Sequence, residues 1–116
     1  MNPCARLRWT TGDAAVTQAE LAVTPFARLR GLLGRTGLSP GTGLLITSCS
    51  AVHTAFMRFP IDVVFLDRMQ RVVGLREALP PWRIAGCRHA AKVLELPAGE
   101  ARRLRLGLGD RCETAP

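Results

Sequence analysis

Hydrophobic and polar residues alternate with a period of two at the start of the chain: Ala5, Leu7 and Trp9 against Arg6, Arg8 and Thr10, followed by a Thr11-Gly12-Asp13 turn. Ala19, Leu21 and Val23 repeat the alternation between Gln18 and Thr24, so a second strand returns antiparallel and a hairpin opens the domain. The period then changes. Thr24-Pro25 is a helix start, with a capping oxygen and a proline at the first helical position, and Phe26, Leu29 and Leu33 share one face. This predicts a helix near 25–34, and the glycines between Gly31 and Gly43 predict a loop after it.

Further along, Gly43-Leu-Leu-Ile-Thr47 reads as a strand leading into Cys49. Ile61-Asp-Val-Val-Phe-Leu-Asp67 is apolar at both alternating sets of positions, as a strand covered on both faces must be. The turn Asp67-Arg-Met-Gln70 leads it into Arg71–Leu75 as a second hairpin, and the prolines of Leu79-Pro-Pro-Trp-Arg83 exclude a central strand there. Ala90–Leu96 is another strand, with Glu95 read as solvated or paired to an arginine, and Ala98–Leu106 predicts a second short helix. Strands with two inserted helices and no regular β-α-β alternation predict an α+β fold, a mainly antiparallel sheet or partly closed β-barrel.

Composition narrows the class of molecule. A chain of 116 residues with 47% hydrophobic and 22% charged residues is sized for a single domain, 1–116, with one core. No apolar run approaches the roughly 20 residues of a membrane span, and the amino terminus lacks the apolar stretch of a secretory signal, so a cytoplasmic protein without a membrane partner is expected. The net charge of +7 comes from 16 basic residues, of which Lys92 is the single lysine. Arginines spread from Arg6 to Arg111 read as a solvated surface rather than a groove-binding stripe, so nucleic-acid binding is the third-ranked reading. Cys4, Cys49, Cys87 and Cys112 form no Cys-x-x-Cys and read as reduced thiols.

The order Arg28, Gly31-Leu-Leu, Arg35, Gly43-Leu-Leu, Phe56-Met57, Pro60-Ile-Asp-Val-Val-Phe-Leu-Asp67, Leu94-Glu-Leu-Pro-Ala-Gly99 and Gly109-Asp110 resembles the domain of unknown function 192 family, over about residues 24–111. The family's commoner pattern has a tryptophan between the phenylalanine and the methionine, and a longer polar turn before Pro-hydrophobic-Asp. Here Arg58-Phe59 is all that separates Met57 from Pro60. The resemblance implies a small β-rich domain, secreted in many members, with no established activity.

Reactive side chains are densest between Cys49 and Asp62. Cys49 and His53 are the candidate catalytic residues: an imidazole beside a thiol makes a thiolate nucleophile, and Asp62 could orient the ring. Against this, such pairs usually come from distant segments, and a packed thiol beside a satisfied histidine is the plainer reading. A metal held by Cys49, His53 and Asp62 with Glu95 or His89 matches no standard spacing, so neither metal nor cofactor is expected. Asp62 lies inside an apolar run and must have partners, either backbone N–H groups after Pro60 or the floor of a ligand pocket. Trp82 is either a lid or an exposed contact, His89 an exposed strand-entry residue, and Arg102, Arg103 and Arg105 the wet face of the second helix.

The leading expectation is therefore a non-catalytic module that binds a small molecule or a protein through His53, Thr54, Met57, Arg58, Asp62 and Trp82. In that reading Phe56 and Ile61 anchor the segment in the core, and His53, Thr54 and Asp62 converge at one partly enclosed site. The alternative is a small thiol-dependent or hydrolytic enzyme using Cys49 and His53.

Overall fold

The computed structural model describes residues 3–10, 15–24, 32, 35 and 37–115. Nine strands are present among them: β1 (Cys4–Trp9), β2 (Val16–Ala22), β3 (Thr42–Thr47), β4 (Ala51–His53), β5 (Ile61–Leu66), β6 (Val72–Leu79), β7 (Ile84–Gly86), β8 (Lys92–Pro97) and β9 (Cys112–Ala115). One short helix, α1 (Glu100–Arg103), follows β8. The helix expected near 25–34 lies almost wholly outside the described residues. No described helix is long and apolar enough to cross a membrane.

Seven strands form one sheet in the order β6-β5-β8-β3-β2-β1-β9, and β4 pairs with β7 as a separate two-stranded flap. The opening hairpin forms as expected, with Arg6 opposite Gln18. All neighbours in the large sheet run antiparallel except β2 and β3, which are parallel with Gln18 opposite Thr42, so the sheet is mixed. Its two edges meet at one end. Arg71 and Arg111 form an antiparallel bridge, the Val72 N–H donates to the Asp110 carbonyl at 2.7 Å, and the Cys112 N–H donates to the Gln70 carbonyl at 3.1 Å. The result is a mainly β, curled and partly closed sheet.

The apolar run of β5 is buried along its whole length because both faces of the sheet are covered. On one face Val64 and Leu66 pack with Leu7, Trp9, Leu94 and Leu96 under Ala101 and Leu104. On the other, Ile61, Val63 and Phe65 pack with Leu44, Ile46 and Val93 under Val52, Met57 and Ala85 of the flap region. Gly43 lets β3 lie close to β8, since a Cβ there would sit 2.8 Å from Leu96 Cδ2 and 2.9 Å from the Glu95 carbonyl oxygen.

The second predicted helix is shorter than 98–106. Gly99 enters it at φ 91°, and Arg105 at φ 57° ends it, because left-handed backbone cannot continue a right-handed helix. Leu104 and Leu106 still reach the core from the turn that follows.

Candidate functional site

The flap places the sequence-predicted residues. In β4, alternation turns Val52 into the core and leaves His53 exposed, opposite Ile84 of β7. Thr54, directly after β4, is fully buried and links two loops. Its N–H donates to the Arg83 carbonyl at 2.8 Å, its hydroxyl donates to the Pro80 carbonyl at 2.7 Å, and its Oγ1 accepts the Arg83 N–H at 2.8 Å. Its own carbonyl accepts the N–H groups of Met57 at 3.1 Å and Trp82 at 3.0 Å. One threonine thus fixes the loop before β5 against the loop before β7.

The consequence is an exposed aromatic pair. Phe56 and Trp82 both adopt left-handed backbone, at φ 64° and 65°, and their ring centroids lie 4.6 Å apart at an interplanar angle of 59°. Phe56 is 72% exposed, Trp82 60% and Ile84 80%, so three large apolar side chains of this region face solvent. Phe56 is therefore no core anchor, which corrects the sequence reading; Met57 is the neighbour that enters the core. Arg58 and Arg83 are exposed in the same two loops, and neither has an ion-pair partner among the described residues.

Asp62 belongs elsewhere. It is 0% exposed on the opposite face of β5 from the residues that pack under the flap. Its Oδ1 accepts the Ala78 N–H at 2.8 Å, and its Oδ2 accepts those of Gly99 at 3.1 Å and Ala101 at 2.9 Å. Backbone donors from β6 and from the start of α1 therefore account for the carboxylate, and the expected convergence of His53, Thr54 and Asp62 does not occur. Cys49 and His53 are likewise not joined by a hydrogen bond: the thiol donates to the Ala51 carbonyl at 3.0 Å. Cys4, Cys49, Cys87 and Cys112 are all free thiols, and no group of three potential metal ligands is found among the described residues.

A second buried carboxylate was missed. The sequence suggests a solvated or paired Glu95, yet it is 3% exposed and its Oε1 has no hydrogen-bond partner among the described residues. Burial pushes its carboxyl up to about 7, opposed by the charge of Arg35, which itself pairs with Glu20. The alternation with Leu94 and Leu96 was legible; that the other face is also covered was not. His89 and Trp82 are exposed.

Comparison with known proteins places the chain in context. The sequence profile of DUF192, described as "Uncharacterized ACR", matches residues 7–114. A UPF0127 protein of Thermococcus sibiricus is 31% identical over 109 residues, covering 90% of this chain and 70% of its own length. A UPF0127 protein of Pyrococcus abyssi is 42% identical over 65 residues, 55% of each chain. Among solved structures, a Sinorhizobium meliloti 1021 protein described as a proposed transcription regulator superposes with a TM-score of 0.88 at 29% identity, over 97% of this chain and 95% of that one. A protein of unknown function from Novosphingobium aromaticivorans shares the fold, with a TM-score of 0.85 at 24% identity over 95% of this chain and 84% of that one.

Proposed function

The chain belongs to the DUF192 family, and from that membership and the flap geometry we propose that it is a non-catalytic binding module whose contact surface is the β4–β7 flap. The observation that carries this reading is the Phe56–Trp82 pair, exposed and held in left-handed backbone at both residues. Such backbone costs about 1–3 kcal/mol per residue for non-glycine side chains, and burying the rings instead would have been favourable. A fold that accepts both costs holds the rings outward for contact.

Division of labour among the six expected binding residues supports this. His53, Arg58 and Trp82 are surface groups, Thr54 and Met57 hold the flap from beneath, and Asp62 supports α1 instead. An aromatic patch beside two arginines that have no acidic partner among the described residues suits a protein segment that presents an apolar or aromatic side chain next to a carboxylate.

The test is calorimetric titration with short acidic peptides containing phenylalanine, tryptophan or proline, set against neutral peptides of the same length. The expected result is saturable binding of acidic aromatic peptides, lost in Phe56→Ala and in Trp82→Ala while the melting temperature holds. Equal binding by the wild type and both variants, or none by the wild type to any peptide, overturns the assignment.

A further inference from the structure

Away from the flap's aromatic pair, three turns at one end of the sheet enclose an open groove of about 850 Å³. They are the segments 47–50 after β3, 67–71 between β5 and β6, and 88–92 before β8. Pairing brings them together: Thr47 lies opposite Lys92, and Lys92 opposite Leu66. The groove is unevenly charged. Arg68, Arg71, Arg88 and Lys92 line it together with His89, and Asp67 is the one acidic residue among the described residues that line it.

Asp67 is fully engaged. Its Oδ1 accepts the N–H groups of Met69 at 2.8 Å and Arg71 at 3.0 Å, and its Oδ2 accepts Arg71 Nε at 3.0 Å. It therefore neutralises Arg71 and no other cation. Lys92 Nζ donates to the neutral Oε1 of Gln70 at 2.9 Å, and Arg68 and Arg88 have no carboxylate partner among the described residues. Arg68, Arg88 and Lys92 thus line one concavity with no carboxylate partner among the described residues, an arrangement that favours entry of an anion. Ser48 and Ser50 add hydroxyl donors, and Ser48 sits in left-handed backbone at φ 52°. Met69, 59% exposed, with Ala90 and Ala91 supplies the apolar part of the lining.

We propose that this groove binds a phosphate-bearing anion of nucleotide size, its phosphates held by Arg68, Arg88 and Lys92 and its apolar part resting on Met69. Guanidinium forks match phosphate oxygens two at a time, and three cations call for a ligand with at least two negative charges. The groove's volume falls within the roughly 300–1,000 Å³ of small-ligand sites. Free polyphosphate, a nucleotide and a nucleic-acid backbone share this chemistry, and titration with each in turn separates them.

The 116-residue chain is titrated by calorimetry with inorganic pyrophosphate, with a nucleoside diphosphate and with a single-stranded oligothymidine of about twelve nucleotides, a length typical of one single-strand site. Alkylation of Cys49, which lines the groove, is followed in parallel by peptide mass spectrometry against exposed Cys4. The expected result is one-to-one binding of pyrophosphate or the nucleotide that weakens about tenfold or more in the Arg68→Gln/Arg88→Gln variant and falls as salt rises from about 50 to 200 mM. Bound ligand should slow alkylation of Cys49 and leave Cys4 unchanged. Failure of both small ligands to bind, undiminished binding by the double variant, or binding of the oligonucleotide alone overturns the proposal. Because Trp82→Ala leaves the groove intact, its retention of pyrophosphate binding keeps this result separate from that of the flap.

Discussion

Two buried carboxylates show how far a single residue can be understood from its neighbours in sequence. Asp62 was legible as a carboxylate needing backbone donors, because an ionised group inside an apolar run is too costly to leave unpaired. Its partners, Ala78, Gly99 and Ala101, were not, since they come from residues 16 to 39 positions away. Glu95 shows the opposite case. Alternation separated it from Leu94 and Leu96, but alternation names a face and not its exposure. With its carboxyl raised from 4.5 to about 7 by burial, the native state keeps a proton that the unfolded chain has already lost. Its contribution to stability is therefore full below about pH 4.5, declines as pH rises toward about 7, and levels off above it, a loss on the order of 3 kcal/mol, whereas Asp67 and Glu100, lowered by hydrogen bonds from Arg71 and Arg103, lose their contributions at acid pH. Glu95→Gln should remove that decline, so the variant melts higher than the wild type near pH 8 and alike near pH 4.5. Denaturant melts across this range decide it, and parallel curves for the two proteins would refute the assignment.

Elements built from a clear alternation were found where the sequence put them. β1, β2, β3, β5 and β8 each match an expected strand within a few residues, because burial on a pleated surface imposes the period directly. The flap was not foreseen as a unit. Its strands span three residues each, too few for a period, and the two loops are joined through the hydroxyl and the backbone of Thr54. Thr54→Val keeps the shape and removes the hydroxyl, leaving the Pro80 carbonyl and the Arg83 N–H without their partner at a cost of about 1–3 kcal/mol. That loss should fall on the flap first. Trp82 is exposed and Trp9 is 1% exposed in the core, so the two tryptophans separate the events. Trp82 emission should change at lower denaturant than Trp9 emission in the variant, with both moving together in the wild type. A single shared transition in Thr54→Val would show that the flap is not held by this hydroxyl.

For the molecule as a whole, the sequence supported a mainly β, partly closed sheet but not its strand order, which depends on pairings between distant segments. The parallel β2–β3 pair and the placement of β9 beside β1, with Arg6 opposite Ala115, have no local signal. Cys112 reports on this closure. It is buried at the start of β9, and burial raises its thiol to about 11, whereas Cys4 is exposed. Near pH 8 Cys4 should react at once with a thiol reagent while Cys112 stays inert, because the thiolate is the reacting form and opening must come first. Cys112 should become reactive together with loss of the global circular-dichroism signal. Early reaction of Cys112 in otherwise folded protein would show that the β1–β9 seam opens independently.

Because β9 follows every other strand of its sheet in the chain, a nascent chain must wait for it before the seam can close. Until then the outer rim of β1 offers unpaired amide and carbonyl groups to any passing β-segment, including that of a neighbouring ribosome's product. Closing a pair so far apart in sequence is also slow compared with forming the first hairpin. The rim of β1 therefore stays open for the interval between its emergence and the docking of β9, and slower translation lengthens that exposure.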